Sequence, residues 1–312
     1  MRVSLGVRFC KAFISKNYAL DSCELRESSL QNKTQDSCES TPPQTPPARG
    51  GAYNDSPTIA RGDFTDSPSL AEGVRGWVKS LSVLKKDLDL SFIPVLERRR
   101  LSDASKITLG LLGKSPLTMP IVFSSQKGEI NRCFGMLQDL AIHHFTSPTA
   151  FSLSVLNATP ALLAIAHKNH SEILAISAVD CLEYGLINAY ALLCESAQDS
   201  QDSRESTHPL APSAREGESM DSRESNAKDC LVISYEEKLE SKEISAIIAC
   251  VSLEANLPQI RIKSRESPCN DGTMTSNLFF LSAVAGKISH YENGDFAIDL
   301  SDFLQGFSIE NL

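Results

Sequence analysis

Hydrophobic residues alternate with polar ones, or recur every three to four positions, over most of the chain. Short apolar runs bounded by turn residues predict strands at 1–7, 120–125, 172–177 and 229–235. Spacing near 3.6 residues predicts helices at 76–86, 103–111, 129–145 and 155–166, and a further helix that follows a turn at 178–180 and ends at 194. The apolar segments 244–255 and 278–287 are predicted to pair as strands, with a helix as the alternative for the first. Alternating strands and helices favour an α/β fold with a largely parallel or mixed sheet.

Two parts of the chain break this pattern, because they are polar and contain short sequence motifs that are repeated. Residues 19–72 are rich in Ser, Thr, Pro, Asp and Gln, and the word Asp202-Ser-Arg-Glu-Ser206 recurs unchanged as Asp221-Ser-Arg-Glu-Ser225. Such segments bury too little apolar area to offset the entropy of ordering. We predict a disordered insertion at 19–72 and polar insertions at 196–229 and 263–277. The first strand then lies within 1–18, and the ordered domain occupies 73–312.

Charge and cysteine content exclude several classes of protein. The 312 residues carry a formal net charge of −9, which disfavours nucleic-acid binding. No apolar run approaches the roughly 18 residues that cross a membrane. The nine cysteines form no Cys-x-x-Cys pair and none has zinc-ligand spacing, which is typical of reduced thiols in a cytoplasmic protein. We therefore predict no metal and no cofactor.

The predicted strand, turn and helix around residue 179 form the geometry in which nucleophiles are often held. Val179 in the turn has no reactive group, and Asp180 is interpreted as a carboxylate at the start of the helix. Cys181 is the weak catalytic candidate, since no general base is visible nearby. A second feature is the dense cluster Arg98-Arg-Arg100. Its side chains are either solvated at the surface, or their planar guanidinium groups bind carboxylates at a protein interface.

Three segments resemble those of one known family. They are Arg98-Arg-Arg-Leu-Ser102, Val122-Phe-Ser-Ser-Gln-Lys-Gly-Glu129 and Ser147-Pro-Thr-Ala-Phe-Ser-Leu-Ser-Val-Leu-Asn-Ala158, supported by Trp77 and Ile233-Ser-Tyr-Glu-Glu237. In this combination the chain resembles the β-ketoacyl synthase-like N-terminal domain family, often described as β-ketoacyl synthase chain-length factors. The resemblance covers nearly all of the predicted ordered sequence.

The resemblance implies a thiolase-like half-fold, with a mixed sheet and packed helices, interrupted by the low-complexity insertions. In active synthases of this kind the nucleophilic cysteine follows an alanine at the strand-to-helix turn, whereas here Ala178 is followed by Val179. The segment Ser289-His-Tyr-Glu-Asn293 resembles neither catalytic histidine motif. The resemblance therefore predicts that the chain performs no Claisen condensation by itself.

The function implied is that of a non-catalytic subunit paired with a ketoacyl synthase in a heterodimer, with acyl carrier protein as a further candidate partner. Its pathway would be fatty-acid elongation or aryl-polyene and polyketide-type elongation. We expect Val155–Ala166 to approach the interface and Arg98–Arg100 to brace it. The residues assigned to family motifs or the interface are Arg98, Arg99, Arg100, Ser147, Pro148, Phe151, Ser154 and Asn157.

Two alternatives stay open from the sequence. One is a stand-alone acyl transferase or thioesterase that uses Cys181. The other is a degenerate, interaction-only relic whose repeat insertions have altered partner binding.

Overall fold

The computed structural model describes residues 1–15, 80–84, 88–205, 227–239, 243–269 and 275–310. The chain divides into two compact units, and the described elements all belong to the unit formed by Met1–Cys23 and Trp77–Leu312. Trp77 and the predicted insertion at 19–72 lie outside the described residues. The strands are β1 Arg2–Ile14, β2 Ser80–Leu84, β3 Ile121–Ser124, β4 Ile173–Ile176, β5 Asp229–Glu237, β6 Ile244–Ser252, β7 Gln259–Cys269, β8 His290–Asp299 and β9 Ser308–Glu310. The helices are α1 Val95–Arg98, α2 Asp103–Leu112, α3 Ile130–His143, α4 Pro148–Ser152, α5 Ala158–His167, α6 Cys181–Glu205, α7 Ser276–Ala285 and α8 Ser301–Gly306.

The strands form one mixed sheet in the order β4-β3-β5-β6-β1-β2-β9. Strands β4, β3 and β5 are parallel, and β6 is antiparallel to both of its neighbours, β5 and β1. Strand β7 pairs antiparallel with the first residues of β1 and with β8. The α/β class with a mixed sheet and packed helices is therefore confirmed.

The sheet is buried on both faces, because successive side chains of its central strands belong in turn to two hydrophobic clusters, one on each face. In β5, Cys230 and Val232 join the cluster formed with α6, α7 and α8, while Leu231 and Ile233 join the cluster formed with α2 and α5. Side chains at successive strand positions point to opposite faces, so a strand covered on both sides reads as a continuous apolar run. The result is a three-layer arrangement of helices, sheet and helices.

Strand β1 keeps one face against α6–α8, although the residues on that face change from odd-numbered to even-numbered along the strand. The cluster contains odd-numbered residues of β1 as far as Val7 and even-numbered ones from Cys10 onward. The pairing register with β6 shifts around Arg8, which marks a β-bulge. The Arg8 guanidinium pairs there with Asp229 at 2.5 Å and Glu254 at 2.6 Å.

Two predicted elements were wrong in type. The segment predicted as a helix at 76–86 contains strand β2, which pairs in parallel with β1. The segment predicted as a strand at 278–287 lies in helix α7. This helix is buried on nearly all sides, so its apolar residues are continuous and show no helical period. Short apolar runs do not separate the two structures by pattern alone.

Parts of the two predicted polar insertions at 196–229 and 263–277 have regular secondary structure. Helix α6 continues to Glu205, so residues 196–205 are helical rather than loosely looped. The word Ser264-Arg-Glu-Ser267 lies in strand β7, which ends at Cys269. Pairing with neighbouring strands orders this polar sequence, because the sheet satisfies backbone groups whatever the side chains are.

Candidate functional site

The turn between β4 and α6 has the predicted strand, turn and helix geometry, since β4 ends at Ile176 and α6 begins at Cys181. Val179 in this turn is 54% exposed, whereas Cys181 is completely buried. The Cys181 Sγ lies 3.0 Å from the Ser234 Oγ in β5. The exposed residue is therefore inert, and the reactive residue type is inside the protein.

The environment of Cys181 opposes formation of a thiolate. Burial raises the pKa of the Cys181 thiol well above its ordinary value, and the nearby carboxylate of Glu236 raises it further. The thiolate, rather than the thiol, is the nucleophile in cysteine catalysis. The structure thus places Cys181 among core residues and gives it neither access nor activation.

Buried carboxylates surround the start of α6 and join it to α7 and β8. Glu183 accepts hydrogen bonds from the Ser276 hydroxyl and from the Asn293 amide, the latter at 3.1 Å. Asp180 accepts from the backbone N–H of Asp295 at 3.4 Å. Burial raises the pKa of Glu183 to about 7 and also raises that of Asp180. These acids hold elements together, and each favours its protonated form more than an exposed carboxyl does.

Glu236 extends the same cluster into the sheet. It accepts a hydrogen bond from the backbone N–H of Asn277 at 3.3 Å, and burial raises its pKa. The Asn277 side-chain amide donates to the carbonyl oxygens of Ser234 and Ser245, both at 3.2 Å. The first turn of α7 is thereby joined to β5 and β6.

The edge of β4 is the apolar feature nearest to this turn. Among the described strands β4 pairs only with β3, so its other edge is free. All four of its side chains are apolar and half-buried. A groove of about 430 Å³ lies beside it, lined by Leu156, Asn157, Ala161, Ile173 and Ala175. A free edge without charges is open to pairing with another chain.

The helices before the groove expose further apolar side chains. Helix α3 has no buried residue, although its predicted apolar face includes Leu137 and Leu140. Phe151 in α4 is 59% exposed and Ile165 in α5 is 73% exposed. Exposed apolar area of this kind marks interaction surfaces more often than it marks isolated monomers.

The predicted motif residues 147–157 divide into two groups. Ser147 caps α4 by accepting a backbone hydrogen bond in its first turn, and Pro148 follows at the first helical position. The Ser154 hydroxyl donates to the carbonyl oxygen of Phe151 at 2.8 Å. These residues shape the local turn, whereas Asn157 is exposed and lines the groove.

The three arginines of the predicted interface lie at the end of α1. Arg98 is half-buried, and Arg99 and Arg100 are exposed. Within the described ranges no ion pair involves any of the three. Their bracing role at an interface stays a prediction.

Two other kinds of site were sought in the described part of the chain. No group of three or more His, Cys, Asp or Glu residues there is arranged to hold a metal ion. None of the helices described is both long enough and apolar enough to cross a membrane.

Comparison with known proteins found a family model and a solved structure that are similar to this chain. Residues 75–200 match the family model described as "Beta-ketoacyl synthase, N-terminal domain". A solved structure described as "Ketosynthase (ApeO) in Complex with its Chain Length Factor (ApeC) from Xenorhabdus doucetiae" contains a chain similar to this one. The TM-score is 0.51 at 19% sequence identity, and the match covers 69% of this chain and 82% of that chain. The comparison with curated proteins found no match.

These findings define the class of protein. Residues 75–200 therefore resemble a β-ketoacyl synthase N-terminal domain, and the described unit has the thiolase-like α/β fold of ketosynthases.

Sequence reasoning missed two features of the site. It did not single out Ile173 and Ala175 as an exposed edge, because four apolar residues in a row predict a central strand as readily as an edge strand. It quoted Glu129 only as the end of a motif and assigned it no role. A carboxylate directly before a helix and 27 residues after a capping serine carries no signal of contact in one sequence.

Proposed function

We propose that this chain is a non-catalytic β-ketoacyl synthase-like subunit, a chain-length factor, that pairs with a ketosynthase. The pair would elongate acyl chains of the fatty-acid type or of the aryl-polyene and polyketide type. The observation that carries the proposal is the turn before α6, where the exposed Val179 has no reactive group and Cys181 is buried. A ketosynthase-like fold without a reactive group at this turn suits a partner rather than an independent condensing enzyme.

The free edge of β4 supports pairing as the mode of action. Its apolar residues and the adjacent groove form a surface that needs cover, and no charged side chain lies in β4 to oppose strand addition. The structural neighbour is itself a ketosynthase in complex with its chain length factor. The pathway and the acyl chain length belong to the proposal alone.

The test is co-expression with the ketosynthase encoded nearest to this chain, followed by size-exclusion chromatography. Ala175→Arg places a charge in the groove and should abolish the heterodimer. The matched control is Leu253→Arg, which adds the same charge at an exposed apolar residue beyond β6, three strands from β4. The control variant should elute with the synthase as the wild-type chain does.

Malonyl-dependent condensation by the complex, compared with the synthase alone, tests the second half of the proposal. A change in product length that requires this chain supports a chain-length factor. Association with the synthase that survives Ala175→Arg would show that the β4 edge is not the interface. Absence of any complex with the folded wild-type chain would overturn the proposed function.

A further inference from the structure

Two of the three segments that carry the family resemblance, and the residue directly after the third, meet at one buried carboxylate. The first segment ends at Ser102, the second ends at Glu129, and the third ends directly before Thr159. The hydroxyl side chains of Ser102 and Thr159 contact the carboxylate of Glu129, a residue that is only 7% exposed. One side chain therefore joins the N-terminus of α2, the N-terminus of α3 and the first turn of α5.

Glu129 Oε1 accepts two short hydrogen bonds. The Ser102 hydroxyl donates at 2.7 Å and the Thr159 hydroxyl donates at 2.8 Å. The Ser105 Oγ lies 2.9 Å from the Ser102 Oγ and 3.1 Å from the Thr159 Oγ1, which closes a ring of buried hydroxyls around the carboxylate. Hydrogen bonds to an ionised acceptor are roughly twice as strong as those between neutral groups.

The other carboxylate oxygen lies near Arg132 in α3, and Arg132 in turn contacts Leu153 in the connection from α4 to α5. Glu129 Oε2 lies 3.4 Å from the Arg132 Nε and has no hydrogen-bond partner of its own. The same guanidinium donates from Nη1 to the carbonyl oxygen of Leu153 at 2.9 Å. The pair Glu129 and Arg132 thus holds the connection from α4 to α5.

The turn that carries Glu129 also touches the groove directly. Gly128 has a φ of +58°, and a β-carbon there would lie 3.3 Å from the Leu156 Cδ1. Its backbone N–H donates to the Ser125 Oγ at 2.9 Å. A side chain at this position would be strained in conformation and would press on a residue that lines the groove.

From these contacts we infer that Glu129 is a positioning residue, which holds residues 153–161 and hence the groove in the geometry that a partner binds. The inference rests on the proposed function for the identity of that partner, a ketosynthase subunit. The positioning role itself is independent of the proposed function, because Leu153, Leu156 and Thr159 are held within this chain.

Three variants and a control test the inference. Glu129→Ala removes every contact, Glu129→Gln keeps an acceptor but removes the charge that faces Arg132, and Thr159→Val removes one hydroxyl at constant shape. The control is Glu183→Gln, since Glu183 is also a buried carboxylate with a serine and an amide donor but joins α6 to α7 and β8. Hydrogen exchange read by mass spectrometry reports the positioning, and titration with the co-purifying ketosynthase reports binding.

Exchange at residues 153–161 should rise about tenfold or more in Glu129→Ala, with smaller rises in Glu129→Gln and Thr159→Val. Amides of β5 and β6 should be unchanged, as should residues 153–161 in the Glu183→Gln control. A uniform rise across the molecule would show a purely structural role and overturn the inference. An unchanged rate at 153–161 would overturn it too.

The binding arm separates this inference from the proposed function. If the wild-type chain binds the synthase, the Kd should be about tenfold higher for Glu129→Ala, and the increase should be smaller for Glu129→Gln. Wild-type binding with no loss in Glu129→Ala would refute the positioning role while leaving the proposed function intact. A chain that binds no synthase, but whose residues 153–161 loosen in Glu129→Ala, would refute the proposed partner and keep the positioning.

Discussion

At the scale of single residues, burial decides which groups near the start of α6 can react. Cys181 is the residue type that a condensing or acyl-transfer enzyme would use, yet its side chain has no exposed surface. Burial and two nearby buried carboxyl groups, those of Glu236 and Glu183, oppose a negative charge on its thiol.

Cys181 should therefore resist alkylation in the folded protein. Iodoacetamide should label Cys133 and Cys194, which are half-buried, while Cys181 reacts about 100-fold more slowly or only after unfolding. Peptide mass spectrometry after timed labelling measures the three rates in one sample, with the half-buried thiols as internal controls. Rapid native labelling of Cys181 would instead favour the stand-alone acyl transferase or thioesterase.

Glu183 should make the folded protein less stable as pH rises toward neutrality. Its pKa is raised from 4.5 to about 7, so the folded state binds more protons than the unfolded chain between these values. The stabilisation is full below about pH 4.5 and is lost as pH rises through about 7, with a limit of about 3 kcal/mol. Asp180 and Glu236 act in the same direction, because their pKa values are raised as well.

Urea unfolding of the wild-type chain and Glu183→Gln at pH values from about 5 to 8 checks this. The free energy of unfolding should fall with pH in the wild-type chain and fall less in the variant. Parallel curves for the two proteins would show that Glu183 ionises normally in the folded state.

At the scale of elements, two helices with apolar faces have opposite environments. Helix α6 packs Leu182, Leu186 and Leu193 into the core, whereas α3 has no buried residue. The sequence pattern of the two is similar, because amphipathic spacing shows which face is apolar but not what covers it. The exposed face of α3 belongs to the part of the molecule where we place partner binding.

A pair of glycine substitutions measures this difference. A β-carbon at Gly185 in α6 would lie 2.7 Å from the Ser124 Oγ and 3.1 Å from the Val232 Cγ1, whereas nothing lies within 4 Å at Gly135 in α3. Gly135→Ala should stabilise the isolated chain by up to about 1 kcal/mol through helix propensity. Gly185→Ala should destabilise it by about 1–3 kcal/mol through overpacking. Chemical denaturation gives both values, and destabilisation by Gly135→Ala would show that α3 is packed more closely than described.

Prediction at the element scale succeeded where the local signal is complete. Ser102 stands directly before the predicted helix at 103–111 and is a preferred N-cap residue type, and its side chain accepts a hydrogen bond from the Ser105 N–H there. Prediction failed for β2, which becomes a strand because β1 offers it a pairing edge. It also failed for α7, whose burial on nearly all sides removes the helical period.

At the scale of the whole molecule, segments distant in sequence make the site. The groove combines Leu156 and Ala161 of the α5 region with Ile173 and Ala175 of β4. Glu129 joins Ser102 and Thr159, which lie 27 and 30 residues away from it. The family resemblance predicted that the three motifs matter together. It did not predict that Ser102 and Thr159 meet at one carboxylate.

The sequence by itself determined the α/β class, most element positions and the absence of a nucleophilic side chain at Val179, because periodicity, capping and residue identity are local properties. Tertiary structure alone decided that Cys181 is buried, that β4 is a free edge beside a groove and that Glu129 joins α2, α3 and α5. These outcomes depend on contacts between residues far apart in the chain, and the free energy of burying a thiol or a carboxylate is set by those contacts.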